Sequence, residues 1–153
     1  MLNQHLSYEL NDSECVMSND INEIHENNIV NRIEYESVIK KGTFFILNSS
    51  GETINSIVVS YYSGLKGNKT TQRIDKLEHL EMATSGCEFT YTVMAWSHTD
   101  YWDIDFKIST GKIISFRKKA CNIRHWDNGI VIINIVKDFK LYIKFSNSGG
   151  CHS

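Results

Sequence analysis

The stretch that decides the fold is TDYWDIDFKISTGK, residues 99–112. Two sets of side chains alternate along it. The apolar set is Trp102, Ile104, Phe106 and Ile108, and the polar set is Tyr101, Asp103, Asp105 and Lys107. Successive side chains of a β-strand point to opposite faces, so this alternation predicts a half-buried strand. We expect Trp102 in a protein core and the two carboxylates on the solvent side.

Runs of similar length recur on both sides of this stretch, separated by turn residues: TFFILN, TINSIVVSYYS, FTYTVMAW, IISFRKKACNI, IVIINIV and LYIKFS. GLKGNKTTQ (64–72) has the composition of a polar loop. RIDKLEHLEM (73–82) is ambiguous, because Ile74, Leu77 and Leu80 keep helical spacing but the stretch is short. Seven or eight short strands with turn signals about every 8–12 residues are typical of a sandwich or small barrel. The sequence therefore predicts one all-β domain, an antiparallel β-sandwich, over residues 42–153.

Residues 1–41 differ in composition from the rest of the chain. The first forty contain eight acidic and two basic residues, whereas residues 41–153 carry a small excess of bases. Asp20 and Glu23 have capping-box spacing before a loose apolar stripe that ends at Ile29. We expect an acidic N-terminal extension, partly helical or mobile, that stays free or lies against the basic body.

Length, net charge and hydropathy narrow the class of protein and its location in the cell. At 153 residues and a formal charge of −2 the chain is one ordinary domain without the basic excess of a nucleic-acid binder. No apolar run approaches the ~20 residues of a transmembrane helix. The first residues lack the pattern of a standard signal peptide, which predicts a cytoplasmic protein or export by a non-classical route.

The four cysteines, Cys15, Cys87, Cys121 and Cys151, are widely spaced and form no C-x-x-C pair. This spacing argues against zinc-ribbon and thioredoxin-like sites. Two alternatives stay open: ordinary core thiols in a reducing compartment, or a long-range disulfide in an exported protein.

Several segments within residues 43–151 are distinctive: NSSGETI, TDYWDIDF with GK shortly after it, CNIRHWDNGIVIINI and the terminal SNSGGC. Together they resemble a small single-domain β-sandwich family of fungi and bacteria that is related to the aegerolysins. The resemblance implies a compact sandwich without a cofactor that recognises membrane lipids, sometimes with a pore-forming partner protein. It also marks Cys121 and Cys151 as the two family-like cysteines and implies a bridge between them, whereas Cys15, Cys87 and the acidic extension depart from the family.

Aromatic and basic residues near predicted loops are the candidate binding residues. Trp126 stands beside Arg124 and just before the turn Asp127–Gly129, so we expect it at an edge of the sandwich. Tyrosine and tryptophan next to bases suit a lipid headgroup interface or a protein hot spot, although a structural role is an equal alternative. The full candidate set is Tyr61, Tyr62, Tyr101, Arg117, Lys118, Lys119, Arg124 and Trp126.

A catalytic or metal site is the less favoured interpretation. Its residues would be His98, Asp100, Asp103 and Asp105. A strand with one solvated face has the same pattern, and no histidine pair has metal-ligand spacing. Cys121 and His125 would lie roughly 13 Å apart on a strand, too far for a catalytic dyad.

Three functions follow from these observations. The first is an aegerolysin-like module that binds lipid or membrane surfaces, as a candidate component of a toxin pair. The alternative is a non-enzymatic protein-binding module, such as a bacterial effector, immunity or adaptor protein, that uses the acidic extension or a sheet edge. The third is a hydrolase or metal-dependent enzyme. We expect no enzymatic activity, no metal and no cofactor.

Overall fold

A computed structural model of the chain describes residues 13–19, 38–63, 66–93 and 99–153. These residues form ten strands and a short 3₁₀ helix: β1 (Ser13–Asn19), β2 (Val38–Ser49), β3 (Ile54–Ser63), β4 (Lys66–Leu77), β5 (Cys87–Val93), β6 (Asp100–Ile108), β7 (Ile113–Ala120), β8 (Ile130–Val136), η1 (Lys137–Phe139), β9 (Leu141–Phe145) and β10 (Cys151–His152).

The strands form two five-stranded sheets packed on one core. Sheet I has the order β1–β4–β3–β6–β7, and sheet II has the order β10–β9–β8–β2–β5. Neighbouring strands are antiparallel except β2 and β8, which run parallel. The predicted all-β sandwich is confirmed, with ten strands in the described residues instead of seven or eight and with one parallel pair.

Strand β6 behaves as its alternating sequence predicts. Trp102 is fully buried, and its ring centroid lies 5.0 Å from that of Tyr61 and 5.7 Å from those of Phe44 and Phe89. Because Tyr61 belongs to sheet I and the two phenylalanines to sheet II, this aromatic cluster joins the two layers. Contacts of this kind add about 0.5–1.5 kcal/mol each beyond the burial of apolar area.

Strand β4 covers most of the expected polar loop and the first half of the ambiguous stretch with helical spacing. It pairs with β1 on one side and β3 on the other. Its inward residues Thr70 and Gln72 are polar yet buried, and the Gln72 side chain donates to the Ser85 carbonyl at 2.9 Å. The loop prediction was wrong because a central position between two strands buries this segment without the apolar alternation that normally reveals a strand.

The expected domain boundary at residues 41 and 42 falls inside β2, which begins at Val38. Residues 13–19 of the acidic extension also belong to the sandwich, because β1 pairs with β4 along its whole length. The predicted helix at residues 20–29 lies outside the described residues.

Two disulfides join the edges of the sandwich. Cys15 on β1 is bonded to Cys87 on β5, so one edge strand of sheet I is tied to one edge strand of sheet II. Cys121, directly after β7, is bonded to Cys151 on β10 at the opposite edges. The Cys121–Cys151 pair is the one that the resemblance implies, whereas the Cys15–Cys87 pair was not anticipated.

Candidate functional site

A buried carboxylate on β6, that of Asp100, holds the start of the loop between β7 and β8, residues 121–129. Asp100 is fully buried and accepts hydrogen bonds from the Tyr61 hydroxyl at 2.8 Å and the Ile123 backbone N–H at 2.9 Å. Its own N–H donates to the Asn122 side chain, and its carbonyl accepts from the Cys121 N–H. Burial, together with the adjacent carboxylate, raises the pKa of Tyr61, so this hydroxyl remains a donor. Asp100 therefore anchors the start of the loop.

A second carboxylate, Asp127, holds the far part of the same loop. It is 4% exposed and accepts four hydrogen bonds of 2.7–2.9 Å, from the backbone N–H groups of Arg124, Asn147 and Ser148 and from the Ser148 hydroxyl. Burial alone would raise the pKa of Asp127, but the bonds from Ser148, Arg124 and Asn147 outweigh it and hold the pKa below its ordinary value. The loop is thereby fastened to residues 146–150 after β9.

This anchoring presents Trp126 to solvent. Its side chain is 54% exposed, while its carbonyl accepts a hydrogen bond from the Asn147 side chain at 2.7 Å. The neighbouring His125 ring lies edge-on, with centroids 4.4 Å apart, and the His125 carbonyl accepts from the Lys40 amine at 3.1 Å. Trp126 therefore lies exposed in the loop that follows the edge strand β7.

Exposed apolar and basic side chains share this end of the molecule. Ile39, at the start of β2, is 66% exposed, and Val38 beside it is 50% exposed. The Lys40 contact with the 121–129 loop brings these residues and Trp126 to the same end of the strands. We call the group Val38, Ile39, Lys40, Arg124 and Trp126 the Trp126 end.

A cleft of about 330 Å³ opens beside the loop, lined by residues 120–122, 124, 145 and 148–151. The Cys121–Cys151 disulfide forms part of its wall. None of the lining residues is acidic. Arg124, which is exposed, is the basic residue among them. The cleft is therefore suited to an anion.

Tyr62 and Tyr101 form a separate group on the outer face of sheet I. Their rings stack with centroids 5.5 Å apart, and the Lys69 and Lys118 amines lie over them at 5.7 and 5.3 Å. Asp103 lies among them, accepting from the Lys118 N–H at 2.7 Å and pairing with Lys69 at 3.7 Å. These half-buried aromatic rings already have cationic partners within the protein.

The predicted binding residues thus divide among several places. Tyr61 is buried in the core because adjacent strand residues face opposite sides and Tyr62 takes the outer one. Arg117 pairs with Asp105 at 2.6 Å, and the Lys119 amine donates to the His152 carbonyl at 2.7 Å. Only Arg124 and Trp126 of the predicted set belong to the Trp126 end.

The predicted carboxylate set does not converge. Asp100 faces the core, whereas Asp103 and Asp105 lie on the outer face of sheet I, and His98 is outside the described residues. Asp103 and Asp105 are not simply solvated: both are half-buried and are paired with Lys69 and Arg117, respectively. Within the described ranges no three His, Cys, Asp or Glu side chains are grouped to hold a metal ion.

Sequence reasoning missed the partners that shape this end. Asn147 and Ser148 lie 20 and 21 residues beyond Asp127, and Lys40 lies 85 residues before His125. A weak signal existed, since Asp before Asn-Gly is a turn former whose side chain often binds nearby backbone N–H groups.

The outer face of sheet II carries a second, apolar surface. Phe45 and Leu47 on β2 and Ile132 on β8 are half-buried there, and Tyr142 on β9 is 46% exposed. Lys144 and Glu88 lie on the strands that flank this row, β9 and β5.

Comparisons with known proteins identify no family for this chain. No protein-family model and no curated protein matches the chain. A solved NMR structure of a protein from Eubacterium rectale is similar at a TM-score of 0.41 and 11% identity, over 71% of this chain and 90% of that one. The chain is an all-β sandwich protein, and its resemblance to the aegerolysins stays a prediction. In the parts that the structure describes, no helix has the length and apolar character needed to span a membrane.

Proposed function

We propose that this protein is a non-enzymatic module that binds lipid membrane surfaces through its Trp126 end, in the manner of an aegerolysin-like toxin component. The observation that carries the proposal is the half-exposed Trp126 side chain on a loop held by the four hydrogen bonds of Asp127. Tryptophan favours the membrane–water interface because its ring is apolar and its N–H is polar.

The neighbouring residues support the same interaction. Ile39 and Val38 offer apolar side chains for shallow insertion, and Lys40 and Arg124 offer positive charge for anionic headgroups. Each base near an anionic surface contributes about 1 kcal/mol. Because the loop is already fixed, little conformational entropy is lost on binding.

The disulfides support a location outside the reducing cytosol. All four cysteines are paired, and such bridges persist in oxidising compartments. An exported protein would meet the outer surface of a membrane, where the proposed interaction takes place.

Vesicle co-sedimentation tests the proposal. The wild type, Trp126→Ala and the matched control Tyr142→Ala are mixed with phosphatidylcholine vesicles, with and without phosphatidylserine. Tyr142 is a fair control because it is 46% exposed on the outer face of sheet II. Burying the exposed half of a tryptophan, roughly 100 Å², is worth about 2.5 kcal/mol, so Trp126→Ala should weaken binding on the order of fifty-fold.

The expected result is binding by the wild type and Tyr142→Ala, with a large loss in Trp126→Ala. Absence of binding to both vesicle types, or equal binding by all three proteins, would contradict the proposal.

A second candidate function, homophilic protein binding, is favoured by the apolar outer face of sheet II. In this arrangement two copies pack these outer faces together about a two-fold axis parallel to the strands. Strand β9 of one copy then faces β5 of the other, so Lys144 would approach Glu88 of the second copy. Sedimentation velocity of the wild type and Ile132→Lys measures this association. A monomeric wild type at high concentration would end this alternative.

A further inference from the structure

We propose that the cleft beside the Cys121–Cys151 disulfide binds a phosphate group. The inference deepens the proposed function and rests on it for the source of the ligand, which would be a phospholipid headgroup. The cleft adjoins the Trp126 end, since Arg124 belongs to both.

The charge of the cleft lining favours an anionic ligand. Among the lining residues, 120–122, 124, 145 and 148–151, Arg124 is the sole charged one. A second cation lies at the edge, because the Lys119 amine is fixed on the carbonyl of His152, next to Cys151. An arginine fork matches the oxygen atoms of a phosphate and can form two charge-assisted hydrogen bonds.

The nearby carboxylate does not neutralise this arginine. Asp127 contacts Arg124 through the backbone N–H, and its oxygens are occupied by the 147–148 donors on the other loop. Asp127 is 4% exposed, so an incoming anion does not contact its oxygens directly.

The backbone of the cleft wall also leaves room for a small ligand. Gly150 has φ +70°, and a Cβ at this position would collide with the Ile143 carbonyl, so the backbone here is tightly seated. Gly149 is the opposite case, because a Cβ would meet no atom within 4 Å. The backbone at Gly149 therefore faces open space, where a small ligand can approach it closely.

The volume of the cleft is that of a site for a small ligand. A volume of about 330 Å³ lies at the lower end of the range for small-molecule sites, roughly 300–1,000 Å³. It accommodates a phosphate with a small substituent and leaves any acyl chains outside, at the Trp126 end.

Two variants and one control test the assignment. Arg124→Gln removes the charge, and Gly149→Leu adds a side chain to a lining residue at a position where the fold leaves room. Lys144→Gln is the matched control, an exposed base on the outer face of sheet II that does not itself line the cleft. Amide NMR spectra verify that each variant is folded.

The soluble probe is glycerol 3-phosphate, followed by amide shifts in NMR. We expect saturable shifts at residues 121–124 and 148–150 in the wild type and Lys144→Gln, with affinity about tenfold or more weaker in Arg124→Gln and Gly149→Leu. Absence of shifts at these residues, or shifts that neither variant reduces, would overturn the assignment.

Vesicle binding of the same proteins separates the cleft from the proposed function. If phosphatidylcholine vesicles bind through Trp126 while the probe does not bind and Gly149→Leu binds vesicles normally, the cleft assignment fails and the proposed function stands. If the probe binds in the cleft but no vesicle binds, the site takes soluble phosphates and the proposed function fails. If both bind and Gly149→Leu weakens both, the phosphate comes from the headgroup.

Discussion

Replacing Asp127 by asparagine tests how the Trp126 end is held. In the native protein two donors meet each carboxylate oxygen: the N–H groups of Asn147 and Ser148 on Oδ1, and the Arg124 N–H and Ser148 hydroxyl on Oδ2. Asparagine keeps the shape but has one acceptor oxygen and one NH₂ group. Two of the four donors would therefore lose their acceptor.

The expected loss of stability follows from these contacts. Hydrogen bonds to a charged group contribute about 1.5–3 kcal/mol each and neutral ones about 0.5–1.5 kcal/mol, while a buried donor left without a partner costs about 1–3 kcal/mol. Since the Ser148 hydroxyl can rotate to accept from the new amide, one backbone N–H remains unsatisfied. We expect Asp127→Asn to lower the free energy of unfolding by about 3 kcal/mol.

The pH dependence provides an independent check. The pKa of Asp127 is lower in the folded protein than in the unfolded chain. Its stabilisation is therefore complete above the unfolded pKa of about 3.9 and is lost as the pH falls through the folded pKa. The difference between wild type and Asp127→Asn should be largest at neutral pH and should shrink below about pH 4.

Urea unfolding at pH 7 and pH 3 measures both quantities. Asp138→Asn is the matched control, because Asp138 is exposed and its φ of 60° is one that asparagine tolerates. The control should change stability by less than about 0.5 kcal/mol. A loss below about 1 kcal/mol in Asp127→Asn, or a loss that is the same at both pH values, would refute the reasoning.

The remaining predictions concern the framework. Replacing Cys15 and Cys87 together by alanine opens a loop of 72 residues and should lower the free energy of unfolding by about 4 kcal/mol, measured by urea unfolding; an unchanged midpoint would contradict it. Trp102→Ala should cost about 3–5 kcal/mol in the same assay, because the side chain is fully buried between the sheets, and a cost below about 1 kcal/mol would argue against that position. Gly150→Ala should lower the melting temperature while Gly149→Ala leaves it unchanged, and equal effects would contradict the backbone arrangement described for this turn.

The sequence predicted the fold class well because strand periodicity is local information. Trp102 could be assigned to the core from its neighbours at positions 104 and 106, and the structure buries it fully. Strand β4 was not predicted because Thr70 and Gln72 are buried only through pairing with β1 and β3, which are distant in the sequence. Burial of polar side chains by long-range pairing leaves no periodic apolar signal.

The binding end was predicted only in part for the same reason. A turn after Trp126 was enough to expect this residue at an edge of the sandwich, but Asp127 acts through residues on another loop. Tyr61 and Tyr62 are adjacent, and the sequence does not say which of the two faces outward. Four cysteines allow three pairings, so their number alone could not identify the Cys15–Cys87 bridge.

The most direct test of the account is the depth of Trp126 in a membrane. Because the chain also contains Trp96, the comparison uses Trp96→Phe and the double variant Trp96→Phe/Trp126→Phe, each bound to phosphatidylserine-containing vesicles with nitroxide labels at the headgroup level, and tryptophan emission is recorded. We predict that headgroup labels quench Trp96→Phe strongly and that this quenching disappears in the double variant, because the Trp102 ring stays fully buried in the core. Vesicle-bound protein whose quenching is the same in both forms would contradict it.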